Sequence, residues 1–329
     1  MELSNIQLEE ILSQYNIGSL LQFQAPLESG FQSDNFHIST EQGDFVVRIF
    51  HDSEMNVRYS QTIYEYLATH GIKTPKPERT KENDLVLLFH RKIVVVQTFL
   101  EGTSYEDDDK DTIFGLLPFF GEELGKVHTV SKNMVAELGE EKLTKAVNTI
   151  TYVRNSAQKY MPKKAYIKSQ YQEWEEEIKQ LPAFSLTKAV IHGDIGPKDF
   201  FFKDGEFTGI IDFNAAVLDF LLFDIAPMMM YCGLYKPQNA KHYAKFVNAY
   251  LAESPVQKEE FKWLHTILKT RWLLQVFYHQ YRYVEGITQG LETGNVEENL
   301  QGVIDGENFL KILEKCSKDY FYEVLDAFN

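Results

Sequence analysis

The chain has 329 residues, a net charge of −15 and a hydrophobic content of 44%. This length allows about two domains, and the composition is that of a globular protein, which excludes a disordered or fibrous chain. The acidic charge argues against partners such as nucleic acid or an anionic membrane, since both need a basic surface. Two cysteines, Cys232 and Cys316, are too few for a disulfide framework or a cysteine-based zinc site.

No segment of the sequence is typical of export or of membrane insertion. Residues 1–4 lack a basic stretch followed by an apolar one, so we expect no signal peptide. The apolar run at 217–232 is interrupted by Asp219, Asp224 and Pro227 and falls short of a membrane span. We therefore expect a cytoplasmic protein.

The first hundred residues predict a helix followed by a five-stranded sheet with one inserted helix. Ser4 and Gln7 have the spacing of a capping box at the start of the first helix. The alternation of apolar residues predicts strands near 23–27, 35–38, 45–50, 84–89 and 92–99, and helical spacing predicts the inserted helix at 54–69.

Beyond Gly102 the pattern becomes mainly helical. Helical spacing occurs at 112–130, 165–180, 217–230, 243–251, 261–283 and 309–328, and a short β segment occupies 188–213. The sequence therefore predicts a small β-rich lobe at 1–101 and a larger helical lobe at 102–329.

The most informative segment is 190–213, in which three aspartates accompany a predicted hairpin. Asp194 and Asp199 precede the first strand, an Asp-Gly turn signal separates the strands, and Asp212 follows the second. Such a hairpin brings Asp199 and Asp212 to one end of the sheet, with Asp194 nearby. Crowded carboxylates repel one another unless cations lie among them, and oxygen ligands of this kind suit Mg²⁺.

His-Gly-Asp at 192–194, followed by Asp199 and by Ile-Asp-Phe at 211–213, resembles the signature of the aminoglycoside phosphotransferase and choline kinase-like enzymes. Within that family, 29–35 and 45–50 look most like type II homoserine kinases. The resemblance implies an α+β, bilobal protein-kinase-like fold with a small β-rich N-lobe and a larger helical C-lobe. It also implies ATP and Mg²⁺ as cofactors.

The resemblance gives each aspartate of the motif a role. Asp194 would accept the proton of the substrate hydroxyl as that hydroxyl attacks the γ-phosphate, and His192 would support its loop. Asp212 would bind Mg²⁺ that bridges the β- and γ-phosphates. Asp199 stands where the family has Asn, and we expect it to contact the metal. A natural variant, an engineered change and a degraded active site remain open explanations for Asp199.

In the β-rich lobe, the resemblance implies the residues that contact ATP. Arg48 takes the place of the Lys or Arg that contacts the α- and β-phosphates. Its glutamate partner is not obvious, because Glu54 and Glu65 lie opposite the apolar stripe of the following helix. The remaining candidates are the phosphate-covering turn, with Ser29, Gly30, Phe31 and Ser33, and the connector beside adenine, with Gln97 and Phe99.

The sequence indicates the phosphate acceptor less clearly than the phosphate donor. The acidic runs at 106–111 and 173–177 suit a polyamine-like ligand or are solvated faces. Arg271 and Arg282 suit a substrate carboxylate or are ordinary helix residues. We expect a kinase that phosphorylates a hydroxyl of a small, amine-bearing molecule, such as an amino alcohol, a homoserine-like amino acid or an aminoglycoside, and that acts as a monomer or homodimer. The alternatives are a Ser/Thr protein kinase of the same fold and a nucleotide-binding pseudokinase scaffold.

Overall fold

The computed structural model describes residues 4–26, 33–105, 110–144, 147–182 and 185–328. The chain divides into two compact units, one of residues 1–104 with 199–215 and one of 105–198 with 216–329. In the described ranges, no helix has both the length and the apolar character that crossing a membrane requires. Cys232 and Cys316 are both free thiols.

The first unit is built on a five-stranded antiparallel sheet, which confirms the sequence prediction. The elements are α1 (Asn5–Leu12), β1 (Leu20–Pro26), β2 (Ser33–Thr40), β3 (Gly43–Phe50), α2 (Glu54–Thr69), β4 (Leu87–Phe89) and β5 (Lys92–Thr98). The strands lie in the order β1-β2-β3-β5-β4. Ser4 and Gln7 form the predicted capping box of α1.

The sheet has an apolar cluster on each face. Along β5, Val94 and Val96 belong to the cluster that contains Leu8 and Ile11 of α1, whereas Val95 belongs to the cluster on the other side. This division follows from the alternation of side chains along a strand. Burying each such side chain stabilises the fold by about 1.5–3 kcal/mol.

A hairpin from later in the chain belongs to the same unit. Strands β7 (Phe200–Lys203) and β8 (Glu206–Ile210) form this hairpin. The strands on either side of it in the chain, β6 (Lys188–Ile191) and β9 (Val217–Phe220), belong to the second unit. Asp204 and Gly205 have φ angles of 52° and 83°, as a tight two-residue turn requires. Thr103 exchanges two main-chain hydrogen bonds with Phe202, at 3.0 and 2.9 Å. The predicted hairpin is therefore confirmed.

The second unit consists mainly of helices. Strands β6 and β9 pair antiparallel within it. Its helices are α3 (Lys110–Leu138), α4 (Glu140–Leu143), α5 (Thr149–Tyr160), α6 (Ala165–Gln180), α7 (Leu222–Tyr231), α8 (Ala240–Glu253), α9 (Leu264–Val284), α10 (Asn299–Leu313) and α11 (Tyr320–Ala327). Helix α9 packs against α5, α6, α7 and α10, so its side chains are held on several sides.

Two helix predictions in this unit are wrong in part. The stretch 217–230 is a strand up to Phe220 and a helix only from Leu222, because a short apolar run fits a strand and a helix equally well. The stretch 309–328 contains parts of two helices, α10 and α11, separated at 314–319.

Candidate active site

The loop that carries Asp194 is fixed by a buried carboxylate. Asp224 accepts hydrogen bonds from the main-chain N–H of His192 at 2.6 Å and of Gly193 at 2.7 Å. The same carboxylate is 3.0 Å from Nε2 of His128, whose Nδ1 is 2.8 Å from the Tyr250 hydroxyl. Asp224 and His128 are fully buried. Their network holds the end of β6 and the start of the loop in one conformation.

The Asp194 carboxylate is surrounded by hydrogen-bond donors. Arg271 of α9 donates to Oδ1 and also to the Gly193 carbonyl. Lys198 Nζ lies 3.2 Å from Oδ2, and the Tyr231 hydroxyl of α7 lies 3.2 Å from both carboxylate oxygens. The Asp194 side chain is nevertheless 37% exposed. It is therefore both oriented and accessible.

Tyr231 positions more than the carboxylate. Its ring packs on the loop, where a Cβ on Gly196 would lie only 2.6 Å from the Tyr231 ring, so no larger residue fits. The Lys198 ammonium lies 4.9 Å from the centre of the same ring, a cation–π distance. Tyr231 thus contacts both ends of the segment from Asp194 to Lys198.

The charges around Asp194 determine its protonation. Burial alone raises the pKa of a carboxyl group, but the positive charges of Arg271 and Lys198 outweigh burial here. The pKa of Asp194 consequently lies below its ordinary value. Asp194 is a carboxylate at neutral pH.

Asp199 and Asp212 meet within the first unit. The N–H of Ile211 donates to the Asp199 carbonyl at 2.9 Å, so the residue before Asp212 is bonded directly to Asp199. The Asp199 side chain is only 3% exposed, whereas Asp212 is exposed. The Asn214 amide donates to the Asp212 carboxylate at 2.6 Å. Both aspartates therefore lie at one end of the β7–β8 hairpin.

The main chain at Asp212 adopts an uncommon conformation. Its φ is 69°, in the left-handed region that residues other than glycine seldom adopt. The hydroxyl of Tyr64, on α2, accepts hydrogen bonds from the N–H groups of Asp212 at 2.8 Å and Phe213 at 3.2 Å. Tyr64 is buried, and its ring packs edge-on against Phe213. Tyr64 therefore stabilises the turn that presents Asp212.

The donor chemistry of this turn fits a hard divalent cation. Asp199 and Asp212 supply carboxylate oxygens, and Mg²⁺ is commonly held by one or two carboxylates together with phosphates and water. Within the described ranges, no three His, Cys, Asp or Glu side chains are grouped to hold a metal ion. The pair Asp199 and Asp212 is thus the candidate protein contribution to a metal site.

Arg48 is held by neutral side chains. Its guanidinium donates to Asn35 at 3.1 Å, to Ser33 at 3.1 Å and to Gln97 at 3.3 Å. Gln97 in turn donates to Gln61 of α2 at 2.8 Å. Gln61 is thus the residue through which the Arg48 network reaches α2.

The two glutamates considered as partners of Arg48 contact other arginines. Glu54 accepts from Arg58 at 2.7 Å, and Glu65 accepts from Arg79 at 2.6 Å. The Arg48 network is therefore built from amides and a hydroxyl.

The other predicted nucleotide contacts have mixed surroundings. Ser29, Gly30 and Phe31 lie outside the described residues. The N–H of Phe99 donates to the Asp44 carbonyl at 3.0 Å. The Phe99 ring stacks on the His37 ring, with the two ring centres 3.8 Å apart. Gln97 is buried, and its side chain faces Arg48.

The acidic run at 173–177 is compensated by cations. Lys269 lies 2.9 Å from Glu173 and 3.2 Å from Glu177, while Arg154 pairs with Glu175 at 2.9 Å. Glu176 pairs with Lys179 at 2.6 Å. These carboxylates therefore form ion pairs within the protein. The other run, 106–111, falls largely outside the described residues.

Comparison with known proteins identifies the family. A family model for APH, the phosphotransferase enzyme family, matches residues 24–261, which is most of the chain. The chain belongs to this family.

Sequence relatives of this phosphotransferase include homoserine kinases. One from Rhodopseudomonas palustris (strain BisA53) is 23% identical over 258 residues, covering 77% of each chain. Another from Gluconobacter oxydans (strain 621H) is 28% identical over 232 residues, covering 68% of this chain and 70% of the relative. The chain is therefore a kinase.

Solved structures confirm the fold of the phosphotransferase. An amicoumacin kinase in complex with AMP-PNP, Ca²⁺ and Ami has a TM-score of 0.70 at 13% identity, covering 96% of this chain and 95% of that one. A choline/ethanolamine kinase family protein from Mesorhizobium loti has a TM-score of 0.65 at 14% identity, covering 96% and 95%. The mixed α and β, protein-kinase-like architecture predicted from sequence is confirmed, and the kinase relatives imply ATP use.

Several supporting residues of the phosphotransferase were missed by the sequence analysis. Tyr64, Gln61 and Tyr231 contact predicted site residues only after the chain has folded. Lys198 lies inside the recognised motif, and its position four residues after Asp194 was an available signal. Arg271 was considered for a substrate carboxylate, and the structure places its guanidinium on Asp194.

Proposed function

We propose that this phosphotransferase transfers the γ-phosphoryl group of ATP to a hydroxyl of a small, amine-bearing molecule. The acceptor classes are amino alcohols, homoserine-like amino acids and aminoglycosides. Asp194 is the catalytic residue, and Asp199 and Asp212 are the metal contacts. The observation that carries this proposal is the Asp194 carboxylate, which is ionised, accessible and fixed by three donors on a rigid loop.

In the proposed reaction, Asp194 accepts a hydrogen bond from the acceptor hydroxyl and orients its oxygen toward the γ-phosphorus. A bond forms between that oxygen and phosphorus, and the bond from phosphorus to the β–γ bridging oxygen breaks. The hydroxyl proton passes to Asp194, and ADP carries the bridging oxygen away. Because phosphoryl transfer needs little covalent assistance, the low pKa of Asp194 is compatible with this orienting role.

The first unit would bind the donor. Asp199 and Asp212 would hold Mg²⁺, which neutralises phosphate charge when bound. Arg48, presented by Asn35, Ser33 and Gln97, would contact the α- and β-phosphates. Ser29, Gly30 and Phe31 would cover them, and Gln97 and Phe99 would lie near adenine. The use of ATP supports a cytoplasmic location, with the protein acting as a monomer or homodimer.

The test is an ADP-release assay with Mg·ATP and a panel of ethanolamine, choline, L-homoserine and kanamycin. Phosphorylation of a panel member is expected, with a loss in kcat of about 10²–10⁴-fold for Asp194→Asn. Thermal unfolding checks that the variant is folded. The proposal is overturned if no small hydroxyl compound is phosphorylated, or if Asp194→Asn keeps full activity.

A further inference from the structure

Two cations and one carboxylate form the charged cluster at the candidate catalytic residue. Lys198 and Arg271 both contact Asp194, so the group carries one net positive charge. Tyr231 adds a neutral hydroxyl. A purely cationic acceptor that brings its hydroxyl to Asp194 therefore approaches two like charges. An acceptor with an anionic group is attracted by the same two cations.

The three donors on Asp194 differ in how readily they can give way to a substrate hydroxyl. Arg271 is 14% exposed and is also bonded to the Gly193 carbonyl, and Tyr231 packs on the loop at Gly196. Lys198 is 44% exposed, and its ammonium lies at the end of a flexible side chain. Displacing the Lys198 ammonium costs the least rearrangement. Its charge then remains beside the bound acceptor.

The neighbouring face of α9 has hydrogen-bonding capacity that the described residues do not use. Arg271 and Gln275 are one helical turn apart and so lie on the same face. Arg271 Nε and Gln275 Oε1 are buried without a hydrogen-bond partner in the described part of the chain. Buried polar groups are normally satisfied, so these atoms suit polar groups of a ligand.

We propose that Lys198, assisted by the fixed charge of Arg271, selects acceptors that carry a carboxylate in addition to the hydroxyl. When the acceptor hydroxyl binds Asp194, the Lys198 ammonium moves from Asp194 to that carboxylate. The phosphate acceptor is then a hydroxy acid or hydroxy amino acid, not a polycation. This inference rests on the proposed function and specifies its substrate class.

The experiment compares three acceptors that share a primary hydroxyl. L-Homoserine carries a carboxylate and an amine, 4-hydroxybutanoate carries only the carboxylate, and 3-amino-1-propanol carries only the amine. Wild-type protein is expected to have a higher kcat/KM with L-homoserine and with 4-hydroxybutanoate than with 3-amino-1-propanol. Lys198→Gln is expected to raise KM for the carboxylates by about 10- to 100-fold, as for the loss of a charged hydrogen bond. Its KM for 3-amino-1-propanol is expected to fall, because the variant removes a positive charge that repels the amine.

Comparing acceptors separates specificity from a structural effect, because a damaged loop or an altered Asp194 affects all three alike. Lys198→Arg keeps the charge and is expected to retain the preference for carboxylates. Lys188→Gln is the matched control, since Lys188 is an equally exposed lysine of the same unit that pairs with Glu140. It should leave every KM unchanged.

The outcomes distinguish this inference from the proposed function. The inference is overturned if 3-amino-1-propanol is the best of the three acceptors. It is also overturned if Lys198→Gln lowers kcat/KM equally for all three acceptors, as the loss of a contact to ATP would. Binding of the carboxylates by calorimetry gives an independent measure. Lys198-dependent binding without phosphorylation of any acceptor would support the inference and overturn the proposed function.

Discussion

Asp212 and Asp194 are positioned in opposite ways. At Asp212 the main chain is fixed, through two N–H groups bonded to Tyr64, and the carboxylate is exposed. At Asp194 the carboxylate itself is fixed by Arg271, Lys198 and Tyr231. The exposed Asp212 carboxylate is open to a cation from solution, whereas the Asp194 carboxylate is oriented toward a substrate hydroxyl. The surroundings of each aspartate match its proposed role.

The largest effect is expected where the anchor of the Asp194 loop is removed. Asp224→Ala leaves two N–H groups and His128 without their buried acceptor, which should lower the free energy of unfolding by about 3 kcal/mol or more. Chemical denaturation and kcat measure the two consequences. Asp219→Ala is the control, since Asp219 is also buried but accepts from Thr149. If both variants lose kcat equally, the loop does not depend specifically on Asp224.

Removing the anchor of Asp212 should have a smaller effect. Tyr64→Phe deletes the acceptor of two N–H groups, at an expected cost of about 1–3 kcal/mol in the free energy of unfolding. The KM for Mg·ATP should rise while the KM for the acceptor stays constant. Tyr66→Phe removes the same atom from a residue of α2 that stacks on His70. An unchanged KM for Mg·ATP in Tyr64→Phe would contradict the anchoring role.

The charge around Asp194 predicts a pH effect. Arg271→Gln removes a cation that lowers the pKa of Asp194, so that pKa rises. Activity requires the carboxylate form, and the acidic limb of kcat/KM should therefore move to higher pH. The measurement is a pH profile at saturating Mg·ATP. Arg154→Gln, at a half-exposed arginine paired with Glu175, should leave the profile in place. An unmoved acidic limb in Arg271→Gln would show that Asp194 does not set it.

The smallest effect is expected from Asp199→Asn, which introduces the Asn of the signature that 192–213 resembles. The amide keeps an oxygen ligand but removes one negative charge, so the Mg²⁺ concentration for half-maximal activity should rise by about tenfold. Titration of activity with MgCl₂ at fixed ATP measures it. Asp204→Asn makes the same change in the turn of the hairpin and serves as control. Identical titrations for wild type and Asp199→Asn would remove Asp199 from the metal site.

The features predicted correctly from sequence are those that a short segment encodes by itself. Alternation within β3 and β5, the helical spacing of α2 and the turn signal at 204–205 each depend on a few neighbouring residues. The motif at 192–213 indicated the family in the same way, because the spacing of its residues defines it. The prediction of a helix at 217–220 was wrong, because these four residues are too few to distinguish a helical from a strand periodicity.

The features that sequence could not supply depend on residues far apart in the chain. Tyr64 and Asp212 are separated by 148 positions, and Arg271 and Asp194 by 77. An aromatic residue on an amphipathic helix and an arginine in a helix are each compatible with many environments. Only the folded chain determines which hydroxyl or guanidinium meets which aspartate.

The setting of Arg48 has a consequence for control of activity. Among the described residues its hydrogen-bond acceptors are all neutral, and the relay continues into buried Gln97 and Gln61. An ion pair in this place can be broken by moving a helix, which is how some kinases are switched. A relay of amides buried in the core has no such off position at low cost. A displacement of α2 would therefore have to break the buried hydrogen bond between Gln61 and Gln97.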